Sequence, residues 1–134
     1  MRYLILILAL AGAIVSTLAL RVHYTTGTEP CDINAKWDCG IVNHSSYSML
    51  FGLPVAAIGI GGYLAIGALA MMRRRWLMMA ATLVGLGFAL YLSHVEKDIL
   101  EVWCLYCVGS QILIVLITLS GAAWLVMARK KAQA

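Results

Sequence analysis

The sequence predicts an all-α membrane protein: one domain over residues 1–134, built as a four-transmembrane-helix bundle with a long extracytoplasmic loop and short half-helix between helices 1 and 2. Hydrophobic residues make up 63% of the chain and charged residues only 12%, and the mean hydropathy is +0.90. Four apolar tracts are each close to the ~20 residues that a helix needs to cross a bilayer. They are residues 4–20, 49–72, 76–93 and 103–127. Because lipid offers the backbone no hydrogen-bond partner, each tract must be helical.

The distribution of charge supports the same fold and predicts its orientation. Seven of the ten cations lie on one side of the predicted bundle, whereas the other three and all six acidic residues lie on the other side. The positive-inside rule then places both termini in the cytoplasm and every cysteine outside. The basic pI of about 9.0 is explained by this topology and by anionic lipid rather than by nucleic acid. The seven cations are Arg2, Arg73, Arg74, Arg75, Arg129, Lys130 and Lys131.

The connections between the helices follow from their length and composition. The first tract also resembles a secretory signal peptide, but it is long enough to span. The second and third helices form an antiparallel hairpin, because the 73–75 turn is very short, and residues 94–102 form a short acidic connection. Residues 21–50 are the longest segment outside the membrane, so we expect function to concentrate there. Within it, residues 41–50 predict a short helix on the membrane surface, and Pro54 is expected in the first turn of the second helix.

The fourth helix begins with a Cys-x-x-Cys pair, Cys104 and Cys107, at the outer edge of the membrane. Residues three apart share one face of a helix, and the amides of a helix N-terminus stabilise a thiolate, the reactive form of cysteine. A structural disulfide, two buried thiols or half of a zinc site are the alternatives. The oxidising compartment and a second cysteine pair on the same side favour redox chemistry.

The second pair, Cys31 and Cys39, lies in the polar outer segment. An exposed disulfide there would exchange readily with other thiols, although a structural role in pinning the loop is the alternative. Two pairs on one side of a membrane predict a relay that ends at the lipid phase. A lipid-soluble quinone is the acceptor that this location suggests, since the sequence has neither a dinucleotide fingerprint nor a haem-attachment motif. No metal site is predicted.

Several motifs, in this order, resemble those of the vitamin K epoxide reductase family. They are Cys31-Asp32-x6-Cys39, Ser45-Ser46, Phe51-Gly52-Leu53-Pro54-Val55 and Cys104-x-x-Cys107. The resemblance covers nearly the whole chain and is greatest to bacterial-type members, which make disulfides with a quinone of the ubiquinone or menaquinone (vitamin K) type. Many of those carry a fused thioredoxin domain that is not seen here. The implied partner is therefore a separate periplasmic thioredoxin-fold thiol oxidase.

The resemblance implies a role for each cysteine. Cys31 would exchange with the partner, Cys39 would attack Cys104, and Cys107 would face the quinone. Ser45 and the segment before it would cap the quinone pocket.

Three further residues complete the predicted quinone pocket. Phe51 comes with the family motif. Gln111, one turn after Cys107, could bind a quinone carbonyl or join two helices; vertebrate enzymes have tyrosine at this position, which argues against epoxide reduction. His94 could move protons or be an ordinary interfacial histidine.

The sequence therefore predicts a membrane oxidoreductase that passes electrons from a reduced thioredoxin-fold partner to a quinone and so supports disulfide formation. One alternative is a vitamin K epoxide or quinone reductase of an endoplasmic-reticulum membrane. Another is a non-enzymatic membrane scaffold with two structural disulfides.

Overall fold

The computed structural model describes residues 2–24, 49–50, 52–100 and 105–133 of the chain. Within these ranges the protein is a bundle of four α-helices. The helices are α1 (Arg2–Tyr24), α2 (Val55–Met71), α3 (Arg75–His94) and α4 (Leu105–Gln133). Two short strands, β1 (Met49–Leu50) and β2 (Leu53–Pro54), pair antiparallel just before α2. A π-helical segment, Val95–Leu100, continues directly from α3.

The four helices form a ring in which each packs mainly on two neighbours. α1 packs against α2 and α4, and α3 packs against the same two helices, so α2 and α4 lie diagonally opposite. The neighbours of α1 show that it runs antiparallel to α2, because a Cβ built at Gly67 would lie 3.2 Å from Leu6 whereas one built at Gly59 would lie 3.0 Å from Ser16. Along α3 and α4, Met79 approaches Gly121 and Ser93 pairs with Gln111. The predicted four-helix bundle is thus confirmed.

This up-and-down arrangement brings the cations together. The start of α1, the turn between α2 and α3 and the end of α4 all lie at one end of the bundle. The guanidinium carbon of Arg75 lies 5.1 Å from the ring centroid of Trp124, which joins α3 to α4 at this end by a cation–π contact. The fold therefore shows the cationic side of the predicted charge separation, whereas Glu29, Asp32, Asp38 and Glu101 of the acidic side lie outside the described residues.

The surface of the bundle is apolar. Its small core includes Ile5, Tyr63, Met78 and Ile117. Large apolar side chains on every helix point outward instead, and Val84 is 74% exposed. Helices that are apolar on all faces are typical of membrane spans. Among the described residues, three helical segments are long and apolar enough to cross a membrane: Tyr3–Arg21, Arg75–His94 and Leu105–Lys131.

The second helix differs from its predicted bounds. The tract 49–72 is apolar throughout, but α2 has only 17 residues and begins at Val55, because a β-turn-like hairpin precedes it. Gly52 adopts φ +80°, which allows the chain to reverse. Pro54 has φ −60° and ψ 136°, so it is extended and caps α2 rather than lying in its first turn. At 1.5 Å per residue α2 is about 25 Å long, the shortest of the four helices.

Two other predicted segments also differ. Only the last two residues of the expected surface helix 41–50 belong to the described chain, and Met49–Leu50 form strand β1; the rest lies outside the described residues. The expected connection 94–102 begins as the π-helical segment Val95–Leu100. This segment extends the helix of α3 beyond residue 93, where the third apolar tract ends.

The turn between α2 and α3 confirms the predicted antiparallel hairpin. The amide of Arg73 donates to the carbonyl of Ala70 at 3.1 Å, and that of Arg74 donates to Leu69 at 3.0 Å. This pair of bonds is a Schellman motif, which places the residue after the C-cap in the left-handed region. That residue is Arg73, with φ 58°.

Candidate redox site and cavity

A cavity of about 260 Å³ lies inside the half of the bundle that is remote from the cationic end. All four helices line it, and α2 and α3 contribute the most residues. Small residues such as Gly59, Gly62, Gly85 and Ala89 leave the space between these two helices. Phe88, Leu92 and Val95 give it apolar walls. The lining hydroxyl, thiol and amide groups belong to Ser16, Tyr63, Tyr106, Cys107, Ser110 and Gln111.

Of the four predicted catalytic cysteines, Cys107 is the one that lies within the described residues. It lies in the first turn of α4, is half-buried and lines the cavity. The first turn of a helix presents amides without helical partners and the positive end of the helix dipole. A thiolate at Cys107 would therefore be stabilised by the helix while it faces an apolar space.

Gln111 lies one turn further along α4 and lines the same cavity. Its Oε1 accepts a hydrogen bond of 2.6 Å from Oγ of Ser93, near the end of α3. Gln111 therefore both borders the cavity with Cys107 and connects two helices. An amide carries two N–H donors besides its oxygen.

Tyr63 and Ser110 form a second polar link beside the cavity. The Tyr63 hydroxyl donates to the Ser110 carbonyl at 2.7 Å and lies 2.7 Å from Oγ of the same residue. Since Tyr63 has one hydroxyl hydrogen, Ser110 Oγ is the donor in the second contact. The tyrosine ring lies against Gly12 of α1, where a Cβ would come within 2.5 Å of a ring carbon.

The sequence reasoning missed this link. A signal for it was present, because Tyr63 lies in the middle of an apolar tract. A phenolic hydroxyl at that depth must find a partner inside the protein. The sequence alone did not identify that partner as Ser110, which lies 47 residues after Tyr63.

His94 is placed apart from the other predicted pocket residues. Its Nδ1 lies 2.8 Å from Oδ2 of Asp98, and the two side chains are 62% and 53% exposed. It does not line the cavity that Cys107 and Gln111 share. The structure therefore brings Cys107 and Gln111 together at the cavity and leaves His94 at the surface.

The other predicted site residues lie outside the described part of the chain, and their roles stay predictions. They are Cys31, Cys39, Ser45, Phe51 and Cys104. Among the residues that the structure does describe, no group of three or more histidine, cysteine, aspartate or glutamate side chains could hold a metal ion.

The described residues form an apolar four-helix bundle that holds a cysteine beside an internal cavity, which is a membrane-protein architecture with a candidate thiol site. The family model of the vitamin K epoxide reductase family matches residues 3–121. The chain therefore belongs to the vitamin K epoxide reductase family, as its motifs suggested. The match extends from the start of α1 into the second half of α4 and includes all four cysteines. Proteins of this family are oxidoreductases that are associated with quinone and vitamin K substrates.

Proposed function

We propose that this protein oxidises a reduced thioredoxin-fold partner and passes the electrons through its two cysteine pairs to a quinone. The partner would exchange with Cys31, Cys39 would carry the electrons to Cys104, and Cys107 would deliver them to the acceptor. In each cycle two partner thiols become a disulfide, and the two electrons and two protons convert one quinone to a quinol. The partner is thereby restored as an oxidant for other proteins.

One observation carries the proposal: Cys107 and Gln111 border the same apolar cavity inside a membrane bundle. A thiol there is beside the lipid phase rather than in bulk water. An acceptor that dissolves in the membrane can reach this site, whereas a soluble nucleotide cofactor would have to leave water to do so.

The residues that line the cavity suit a quinone substrate. A quinone ring has flat apolar faces and two carbonyl acceptors, so it needs apolar walls and a few hydrogen-bond donors. Phe88 and Leu92 supply apolar surface, and the amide of Gln111, beside Cys107, would donate to a quinone carbonyl. The volume of about 260 Å³ is close to the lower limit of ~300 Å³ for small-molecule sites, which fits a single ring better than a large ligand.

The proposed location is the inner membrane of a bacterium, with both termini in the cytoplasm. The cationic end of the bundle would face the cytoplasm, where positive residues accumulate. Cys107 belongs to the opposite half, so electrons would enter from the periplasm. That compartment is oxidising and favours disulfides.

Turnover of the full-length protein tests this function. The purified protein is mixed with a reduced thioredoxin-fold thiol oxidase and a short-chain quinone, and the quinone absorbance is followed. We expect quinone loss with the parent and with Thr118→Val, because the Thr118 hydroxyl bonds only within α4, to the Ile114 carbonyl. Cys107→Ala should abolish quinone loss. If no quinone is reduced by the parent, the proposed function is wrong.

The order of the relay needs a separate experiment. The Cys39→Ala variant is mixed with the thioredoxin-fold protein in its disulfide form. The Cys31 thiolate attacks that disulfide, one partner sulfur leaves as a thiolate, and no Cys39 is present to release the partner from Cys31, so a mixed disulfide should accumulate. Non-reducing electrophoresis would detect it as a covalent complex. Cys107→Ala retains the loop pair and should form no such complex at steady state. Equal amounts of the complex in both variants would contradict the proposed order.

A further inference from the structure

Two consecutive residues of α4 are each hydrogen-bonded to a different helix. Ser110 is bound by Tyr63 of α2, through both its carbonyl and its hydroxyl. Gln111 is bound by Ser93 of α3. Because α3 is a neighbour of α4 whereas α2 lies diagonally opposite, the two bonds reach α4 from different directions.

These two residues are positioned to control Cys107. They follow it by three and four residues, so all three lie on adjoining faces of one helical turn. A rotation of α4 about its axis that displaces Ser110 and Gln111 therefore moves the Cys107 thiol by a similar angle. The position of this turn decides whether the thiol faces the cavity or a neighbouring helix.

Apolar packing restrains this part of α4 only weakly. Cys107, Ser110 and Gln111 all border the cavity, so part of this turn of the helix faces open space. A Cβ built at Gly109 would meet no described atom within 4 Å. The tight contacts of α4 lie deeper, at Ile114 and Ile117, both of which are buried. Hydrogen bonds are directional, so they can fix a rotation that loose packing does not.

We propose that Tyr63 and Ser93 are positioning residues that hold α4 from two sides and keep Cys107 turned toward the cavity. The inference rests on the proposed function only in taking Cys107 as the residue that delivers electrons. Neither residue needs to touch the acceptor for this role. Ser93 is the cleaner probe of the two, since it does not line the cavity whereas Tyr63 does.

The test measures the orientation of the thiol without quinone or partner. In a full-length variant with Cys31, Cys39 and Cys104 replaced by serine, Cys107 is the single thiol. It is labelled with N-ethylmaleimide in lipid nanodiscs, and the labelling rate is followed by mass spectrometry. Because the reagent reaches Cys107 through the cavity, the rate reports how often the thiol faces it.

Loss of either bond should slow labelling. Ser93→Ala and Tyr63→Phe are each expected to lower the rate about threefold, which corresponds to the ~0.6 kcal/mol average for interhelical hydrogen bonds in membrane proteins. Together they should lower it about tenfold, because two independent threefold effects multiply. Ser93→Thr keeps the hydroxyl and should restore the parent rate. Thr118→Val should also match the parent, because its hydroxyl bond stays within α4.

A second readout uses the chain with all four cysteines. Ser93→Ala should lower kcat for quinone reduction more than it raises KM for quinone, because Ser93 itself does not line the cavity. Labelling at the parent rate in Ser93→Ala and Tyr63→Phe would overturn the inference, as would equal slowing by Thr118→Val. If the parent labels as expected but reduces no quinone, the proposed function fails while the positioning role stands.

Discussion

The phenolic hydroxyl of Tyr63 and the backbone carbonyl of Ser110 are joined by a 2.7 Å hydrogen bond. This bond links α2 to α4 across the diagonal of the bundle, beside the cavity that Cys107 lines. In a membrane protein such a bond contributes to stability as well as to the shape of the site. The first two predictions concern this contact.

Tyr63→Phe should destabilise the bundle by roughly 0.6–1.7 kcal/mol, the range found for interhelical hydrogen bonds in membranes. Unfolding in a graded mixture of mild and denaturing detergents would measure the loss. Tyr91→Phe is the matched control, because Tyr91 is 49% exposed and its ring contact with Phe88 does not need the hydroxyl. Equal stability of both variants would show that the Tyr63 hydroxyl contributes nothing net.

Gly12→Ala should destabilise the protein by about 1–3 kcal/mol, the usual cost of forcing extra atoms into a packed site. The added methyl group would overlap the Tyr63 ring and push it away from Ser110. Gly61→Ala provides the comparison, because a Cβ at Gly61 meets no described atom within 4 Å. The same detergent titration should find Gly61→Ala as stable as the parent or slightly more so, and a tolerated Gly12→Ala would refute this packing argument.

Arg73→Gly should stabilise the α2–α3 turn by about 1 kcal/mol, since a left-handed conformation is costly for every residue except glycine. The measurement is again the unfolding midpoint. Arg74→Gly removes the same charge at a residue with φ −86°, where glycine gains nothing. We therefore expect Arg73→Gly to be more stable than Arg74→Gly, and the reverse order would contradict the strain assigned to Arg73.

Gln111→Leu should raise KM for a short-chain quinone about tenfold, which is the effect of losing a hydrogen bond worth roughly 1.4 kcal/mol. Leucine keeps the volume of the side chain but cannot donate to a carbonyl. Steady-state kinetics with the partner in excess would measure KM. His94→Leu is the control, because His94 is exposed and does not line the cavity; an equal rise in KM for both variants would place the acceptor elsewhere.

Local patterns were sufficient to predict most of the fold. Apolar tracts 76–93 and 103–127 became α3 (Arg75–His94) and α4 (Leu105–Gln133), since a bilayer span depends on length and hydropathy alone. The start of α2 was wrong because hydropathy does not distinguish an apolar strand from an apolar helix. Gly52 and Pro54 marked the break, but both lie inside a continuous apolar run.

The candidate site was predictable only where it depends on local spacing. Cys107 and Gln111 are four residues apart, so helical periodicity alone placed them on one face. The bonds of Tyr63 to Ser110 and of Ser93 to Gln111 depend on how separate helices are rotated against each other. That rotation is decided by packing throughout the bundle, which no short motif encodes.

The most direct test of electron transfer through Cys107 is a single turnover without any partner. The protein is fully reduced, freed of reductant under anaerobic conditions and mixed with a short-chain quinone, and quinol and remaining thiols are counted. We predict one quinol for every two thiols lost by the parent, and neither quinol nor thiol loss for Cys107→Ala. Parent thiols that stay reduced in excess quinone would contradict the account.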